Sequence, residues 1–134
     1  MGEDDSNIDK LNLEKYNTIM PESDDRALCM EVDKPISRDG YLGNFVPRVE
    51  AMLKARGEIR LLVHFKEYHG WEAEAATMSM GGLMEYGSKF RKFALVNPPK
   101  KEILRSKVND PLMSGETRYF ETDELQDAIA WVKE

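Results

Sequence analysis

The run Ile59-Arg60-Leu61-Leu62-Val63-His64-Phe65 leaves this chain few folds to choose from. A strand with one wet face alternates apolar and polar residues; here Ile59, Leu61, Leu62, Val63 and Phe65 follow one another almost without a break. Such a run needs cover on both faces, which is the setting of a strand inside a parallel sheet. The flanking segments agree. A strand over residues 27–32 precedes a helix with an apolar stripe at Leu42, Phe45, Val46, Val49, Met52 and Leu53. After the central run come a helical pattern over residues 71–87, a strand over 90–97 and a short basic helix begun by Pro98-Pro99. A strand over 117–120 and a final helix with Leu125, Ala128, Ile129 and Val132 facing inward complete the series. Strand and helix in strict alternation predict a largely parallel sheet with right-handed crossovers. The expected fold class is α/β: one domain, a mixed, mostly parallel sheet of about five strands, and four main helices.

Local signals place the boundaries. Residues 15–20 read as a short strand, joined to the next by a turn at Pro21, Ser23, Asp24 and Asp25, so this pair is expected to be antiparallel. Asp39 is the expected N-cap and Gly57 the expected C-cap of the first helix. Pro47 inside its pattern lacks a backbone donor, so a kink or break is expected near Phe45. Thr122 is the expected cap of the last helix, with Asp123 and Glu124 in its first turn. Residues 1–14 read as an acidic tail and 15–134 as the domain.

Composition removes several function classes. The net charge is -6, which offers no electrostatic footprint for nucleic acid. The single cysteine, Cys29, lies in an apolar run and forms no internal disulfide, which fits a reducing compartment, so a cytoplasmic protein is expected. No apolar run has the length to cross a bilayer, and no signal peptide is read at the start. His64 and His69, with Glu67 and Glu72 nearby, are split between a strand and the following loop, so neither a metal site nor a catalytic pair is expected. Neither a phosphate loop nor a nucleophile elbow is present; no catalytic residue and no cofactor is assigned.

Charge is uneven. Residues 1–33 hold ten acidic and three basic side chains, whereas residues 89–107 hold seven basic ones against Glu102 alone. The second segment could meet an anionic surface despite the overall charge.

The segment 71–87 is apolar on two sides. Ala73, Ala76, Met80, Leu83 and Met84 share one face; Trp71, Ala75, Met78, Gly82 and Tyr86 share the opposite one. One stripe suffices to dock a helix on a core. The other requires a cover: a further element, a second chain, a nonpolar ligand or a membrane. Methionines adapt to irregular apolar space. Gly81-Gly82 would loosen the helix by roughly 1 kcal/mol per glycine relative to alanine. Trp71, Ala75, Met78, Gly82 and Tyr86, with His69 at the preceding turn, are therefore the candidate ligand-binding residues. Lys89, Arg91 and Lys92 at the far end are the candidate contacts to a head group or membrane surface.

Taken in order, several stretches resemble the SpoIIAA-like branch of the STAS domains. These are Phe45-Val46-Pro47-Arg48-Val49-Glu50, then Ile59-Arg60-Leu61-Leu62-Val63 with Tyr68-His69-Gly70-Trp71, then Arg118-Tyr119-Phe120 with Asp123-Glu124-Leu125 and Ala128-Ile129-Ala130-Trp131. The resemblance implies a module without catalysis of its own. Partner-switching members carry a phosphorylatable serine in the loop before the second helix; here that loop reads Glu67-Tyr68-His69-Gly70-Trp71, without serine or threonine. For this branch the implied roles are binding of a nonpolar molecule or lipid and peripheral membrane contact. The alternative is a regulatory domain that docks a protein partner or forms a homodimer.

Overall fold

The computed structural model describes residues 16–134. The acidic tail expected over residues 1–14 lies outside the described residues. Five strands form one sheet in the order β1 to β5: β1 (Thr18–Ile19), β2 (Leu28–Val32), β3 (Ile59–Phe65), β4 (Phe90–Val96) and β5 (Glu116–Phe120). β1 pairs antiparallel with β2 and every other pair is parallel, as the apolar run predicts. The crossovers carry α1 (Val46–Arg56), α2 (Ala73–Tyr86) and α3 (Lys100–Asn109), and α4 (Leu125–Lys133) follows β5.

Alternation along the strands divides the core between two faces. Cys29, Leu62, Ala94 and Val96 meet Ala128, Ile129, Trp131 and Val132 of α4 on one side. Leu28, Ile59 and Leu61 meet Val49 and Met52 of α1 on the other, and this layer continues through Val63 and Phe93 to Val32, Phe65 and Leu95. Ile59, Leu62, Leu95, Val96 and Val132 are among the largest fully buried side chains, each worth about 1.5–3 kcal/mol of transfer free energy.

The caps differ in detail from the sequence reading. Ser37, not Asp39, starts the first helical segment: its hydroxyl accepts from the Gly40 amide at 3.0 Å. The interruption expected before Pro47 takes the form of a wider, π-type turn over Tyr41–Phe45, and Pro47 then sits in the first turn of α1, where a missing donor costs little. Gly57 ends α1 as expected, left-handed at φ 72°, its amide donating to the Leu53 carbonyl. At the last helix Glu121, not Thr122, caps the 3-10 turn Thr122–Glu124 that leads into α4, its amide donating to Glu124 Oε1 at 2.8 Å.

Candidate functional site

Helix α2 stands off the sheet. Of its fourteen residues only Ala75 is fully buried. Beneath it lies a cavity of about 190 Å3. Its floor is the sheet (Val32, Leu61, Val63, Phe65, Phe93 and Leu95), one side is the π turn and α1 (Tyr41, Asn44, Phe45 and Val49), and its roof is α2 with Ser79, Gly82, Leu83 and Tyr86. The Tyr41 hydroxyl rests against Gly82, in space that any side chain there would fill. The helix runs unbroken through Gly81-Gly82.

The fourth wall is α3, and it is polar. Glu102, Arg105, Ser106 and Asn109 line it. Glu102 is only 4% exposed. One of its oxygens, Oε1, accepts the Trp71 indole N–H at 2.6 Å and the Tyr68 hydroxyl at 2.9 Å; the other, Oε2, lies 3.6 Å from Arg105 Nε. The Arg105 guanidinium lies over the Trp71 ring at 4.5 Å, a cation–π contact. Burial first, then the bond to Glu102, pushes the Tyr68 hydroxyl up to about 12, so it acts as a donor.

Local sequence explains this convergence. Trp71 is not helical: Ile36 donates to the Gly70 carbonyl and accepts from the Glu72 amide, which holds Trp71 extended and starts α2 two residues later than expected. Tyr68 and Trp71 leave the carboxyl end of β3, and Pro98-Pro99 brings α3 out from the carboxyl end of β4. Both ends of parallel strands thus meet at one crevice, the usual place for a ligand in such sheets.

The candidate residues named from sequence separate. Trp71, Gly82 and Tyr86 line the cavity; Ala75 is buried beside it and Met78 is partly buried. The stripe that carries them faces the sheet, and the apolar side left uncovered is the opposite one, where Met80 is 48% and Met84 76% exposed. Leu83, grouped by spacing with Met80 and Met84, turns into the cavity instead. His69 is outside it, exposed, with Nε2 3.2 Å from Glu67 Oε2. Lys89, Arg91 and Lys92 do not form one surface: the first two are exposed, but Lys92 points to the α4 side, where Nζ donates to the Trp131 carbonyl at 3.0 Å and lies over its ring. Side chains alternate across β4, which separates neighbours in sequence. Sequence reading missed Glu102 and Arg105 as site residues. The signal was present: Glu102 is the single acid in a basic stretch, and Glu102, Arg105 and Asn109 share one helical face.

Two other reactive side chains lie apart from the cavity. The Cys29 thiol is buried under α4, and burial pushes it up to about 11. His64 is buried and its Nδ1 has no partner among the described residues. Burial holds its pKa below the ordinary imidazole value, with Lys66 acting in the same sense and Glu31 against it. The unfolded imidazole titrates near about 6.5. His64 therefore contributes stability that is present above that pH and is lost as pH falls toward the lower folded pKa, because the unfolded chain takes up the proton first. The melting temperature should fall between about pH 7.5 and about pH 5.5, and by less in His64→Phe. Equal falls in the two proteins would show that His64 is not the source.

Among the described residues no group of three or more histidine, cysteine or acidic side chains could hold a metal, and no helix is long and apolar enough to cross a membrane. Among solved structures the chain is similar to an uncharacterized protein from the DUF3478 family, with a SpoIIAA-like fold, from Shewanella loihica PV-4. The two share 22% identity over 87% of this chain and 91% of that one, with a TM-score of 0.64, a likeness of fold. No curated protein matches. The sequence profile of the SpoIIAA-like family matches residues 27–133, from just before β2 to the end of α4. With the sheet order and the crossovers described above, this match over most of its length means that the chain belongs to the SpoIIAA-like family.

Proposed function

We propose that this protein is a binding module without catalysis of its own, which holds a nonpolar small molecule between α2 and the sheet. The observation that carries the reading is the apolar cavity of about 190 Å3 beneath a helix with a single fully buried residue. A well-packed domain has few voids larger than a water molecule. An apolar void of about 150 Å3 stays dry and takes up a one-ring hydrocarbon, so this one is large enough for a small apolar guest. Helix α2 packs lightly, and its Met-rich outer side has little to lose on moving, so the roof is the natural way in.

Native mass spectrometry of protein purified without detergent should show a retained small molecule, or uptake of an added apolar one. Val63→Trp, on the floor, should lower affinity at least about tenfold while the protein stays folded, since the guest's volume is already taken. Binding unchanged in that variant would place the ligand elsewhere.

The outer side of α2 favours a second reading. Exposed Met80 and Met84, with Lys89 and Arg91 beyond the helix end, fit peripheral contact with an anionic membrane, a homodimer or a protein partner. Flotation with anionic phosphatidylglycerol vesicles, or a mass that rises with concentration, in protein that takes up no apolar molecule would favour it.

A further inference from the structure

The cavity lining is mostly apolar, and its two charged residues, Glu102 and Arg105, both stand on α3; this asymmetry bears on the chemistry of the guest. Arg105 lies over Trp71, its Cζ 4.5 Å from the ring centroid, and its Nε lies 3.6 Å from Glu102 Oε2. A guanidinium has five N–H donors in a planar fork. Among the described residues its two terminal nitrogens make no hydrogen bond to protein. Asn109, one turn further along α3, lines the cavity and likewise has no side-chain hydrogen bond among the described residues.

Glu102 is less available. Its Oε1 already accepts two donors, and Oε2 faces the guanidinium. Lys100, Lys101 and Lys107 of α3 are exposed and do not line the cavity, so Arg105 is the one cation among its lining residues. A guanidinium whose terminal donors have no protein partner and can reach solvent, set at the edge of an apolar cavity, matches an anion with an apolar body. A planar carboxylate fits the fork in two-point geometry.

We infer that the guest is an amphipathic monocarboxylate, with its apolar body under α2 and its carboxylate on the terminal nitrogens of Arg105, assisted by the Asn109 amide. Glu102 is a positioning residue: it anchors Trp71 and Tyr68 and orients the guanidinium from behind. The inference rests on the cavity being a ligand site.

Isothermal titration with octanoate, 1-octanol and octylamine separates the two claims. The three share a chain and differ only in the head group. Octanoate should bind about tenfold or more tightly than octanol, and octylamine most weakly, as charge-assisted hydrogen bonds require. In Glu102→Gln/Arg105→Gln the amide of residue 102 still accepts from Trp71 and Tyr68, which keeps the wall packed. There octanoate affinity should fall at least about tenfold and octanol affinity far less, so that the preference for octanoate vanishes. Arg105→Lys, which keeps the charge without the fork, should fall between. Octanol or octylamine binding as tightly as octanoate to the unaltered protein would overturn the inference and leave the cavity reading standing. Equal loss of octanoate and octanol in a folded double variant would overturn it too, since Arg105 would then only shape the cavity. Failure of all three to bind, with nothing retained in native mass spectra, would overturn both.

Discussion

Replacing Glu102 by alanine should lower the stability of this protein by about 3 kcal/mol, and Glu102→Gln should cost far less. The carboxylate is nearly inaccessible and one of its oxygens serves both Trp71 and Tyr68. Alanine leaves the indole N–H and the phenol O–H without an acceptor, at about 1–3 kcal/mol for each buried group so orphaned. Arg105 adds little, because its side chain is 36% exposed and water can replace its partner. Glutamine keeps an acceptor oxygen in the same place and loses only the charge-assisted part. The loss expected for alanine corresponds to a fall in melting temperature of roughly 10 °C in a domain of this size. If both variants melted within a degree or so of the original protein, Trp71 and Tyr68 would have to be satisfied by something other than Glu102. The polar wall would then lose its central member.

The second large effect is expected at Gly115, which turns the chain into β5. Its φ is 82°, a conformation L side chains seldom adopt, and a Cβ there would strike the backbone carbonyls of Phe90 and Arg91. Ser114 ties down the same crossing, the single hydrogen of its hydroxyl shared between the carbonyls of Ser88 and Phe90, each 2.8 Å away. Relief requires β4 and β5 to part where Lys92 pairs with Glu116. Gly115→Ala should therefore cost about 3 kcal/mol or more: backbone strain of about 1–3 kcal/mol plus the disrupted pairing. Gly57→Ala is the control. Its φ of 72° is similar but no atom lies within 4 Å of the added carbon, so only the strain, about 1 kcal/mol, should appear. Urea unfolding of the two variants at unchanged slope measures both values. Equal costs would mean that the close approach to β4 is not what requires glycine at 115.

Most of the architecture was legible because it depends on short-range pattern. The unbroken apolar run of β3 marks a strand covered on both faces. The β1–β2 turn marks an antiparallel pair. Gly57 marks a left-handed helix end, and the stripe on α4 marks the face that covers Cys29, Leu62 and Ala94. Each is decided by residues a few positions apart. Two expected caps were misplaced by a residue or two, at Ser37 and Glu121, because neighbouring polar side chains compete for the same amides.

The site was only partly legible. By itself the sequence determined that α2 has two apolar sides, that its glycines are adjacent and that a lone acid sits among bases on α3. Periodicity says which residues share a face of a helix, but not which face turns inward when both are apolar. The tertiary structure decided that. Trp71 is anchored by an acceptor 31 residues away, and the Tyr41 hydroxyl occupies the space where Gly82 lacks a side chain. Those contacts turn the Gly82–Tyr86 side toward the sheet and leave Met80 and Met84 outside. Such pairings across long stretches of chain have no local signature, because nothing in a window of ten or twenty residues records which distant group will complete a hydrogen bond or leave a hollow.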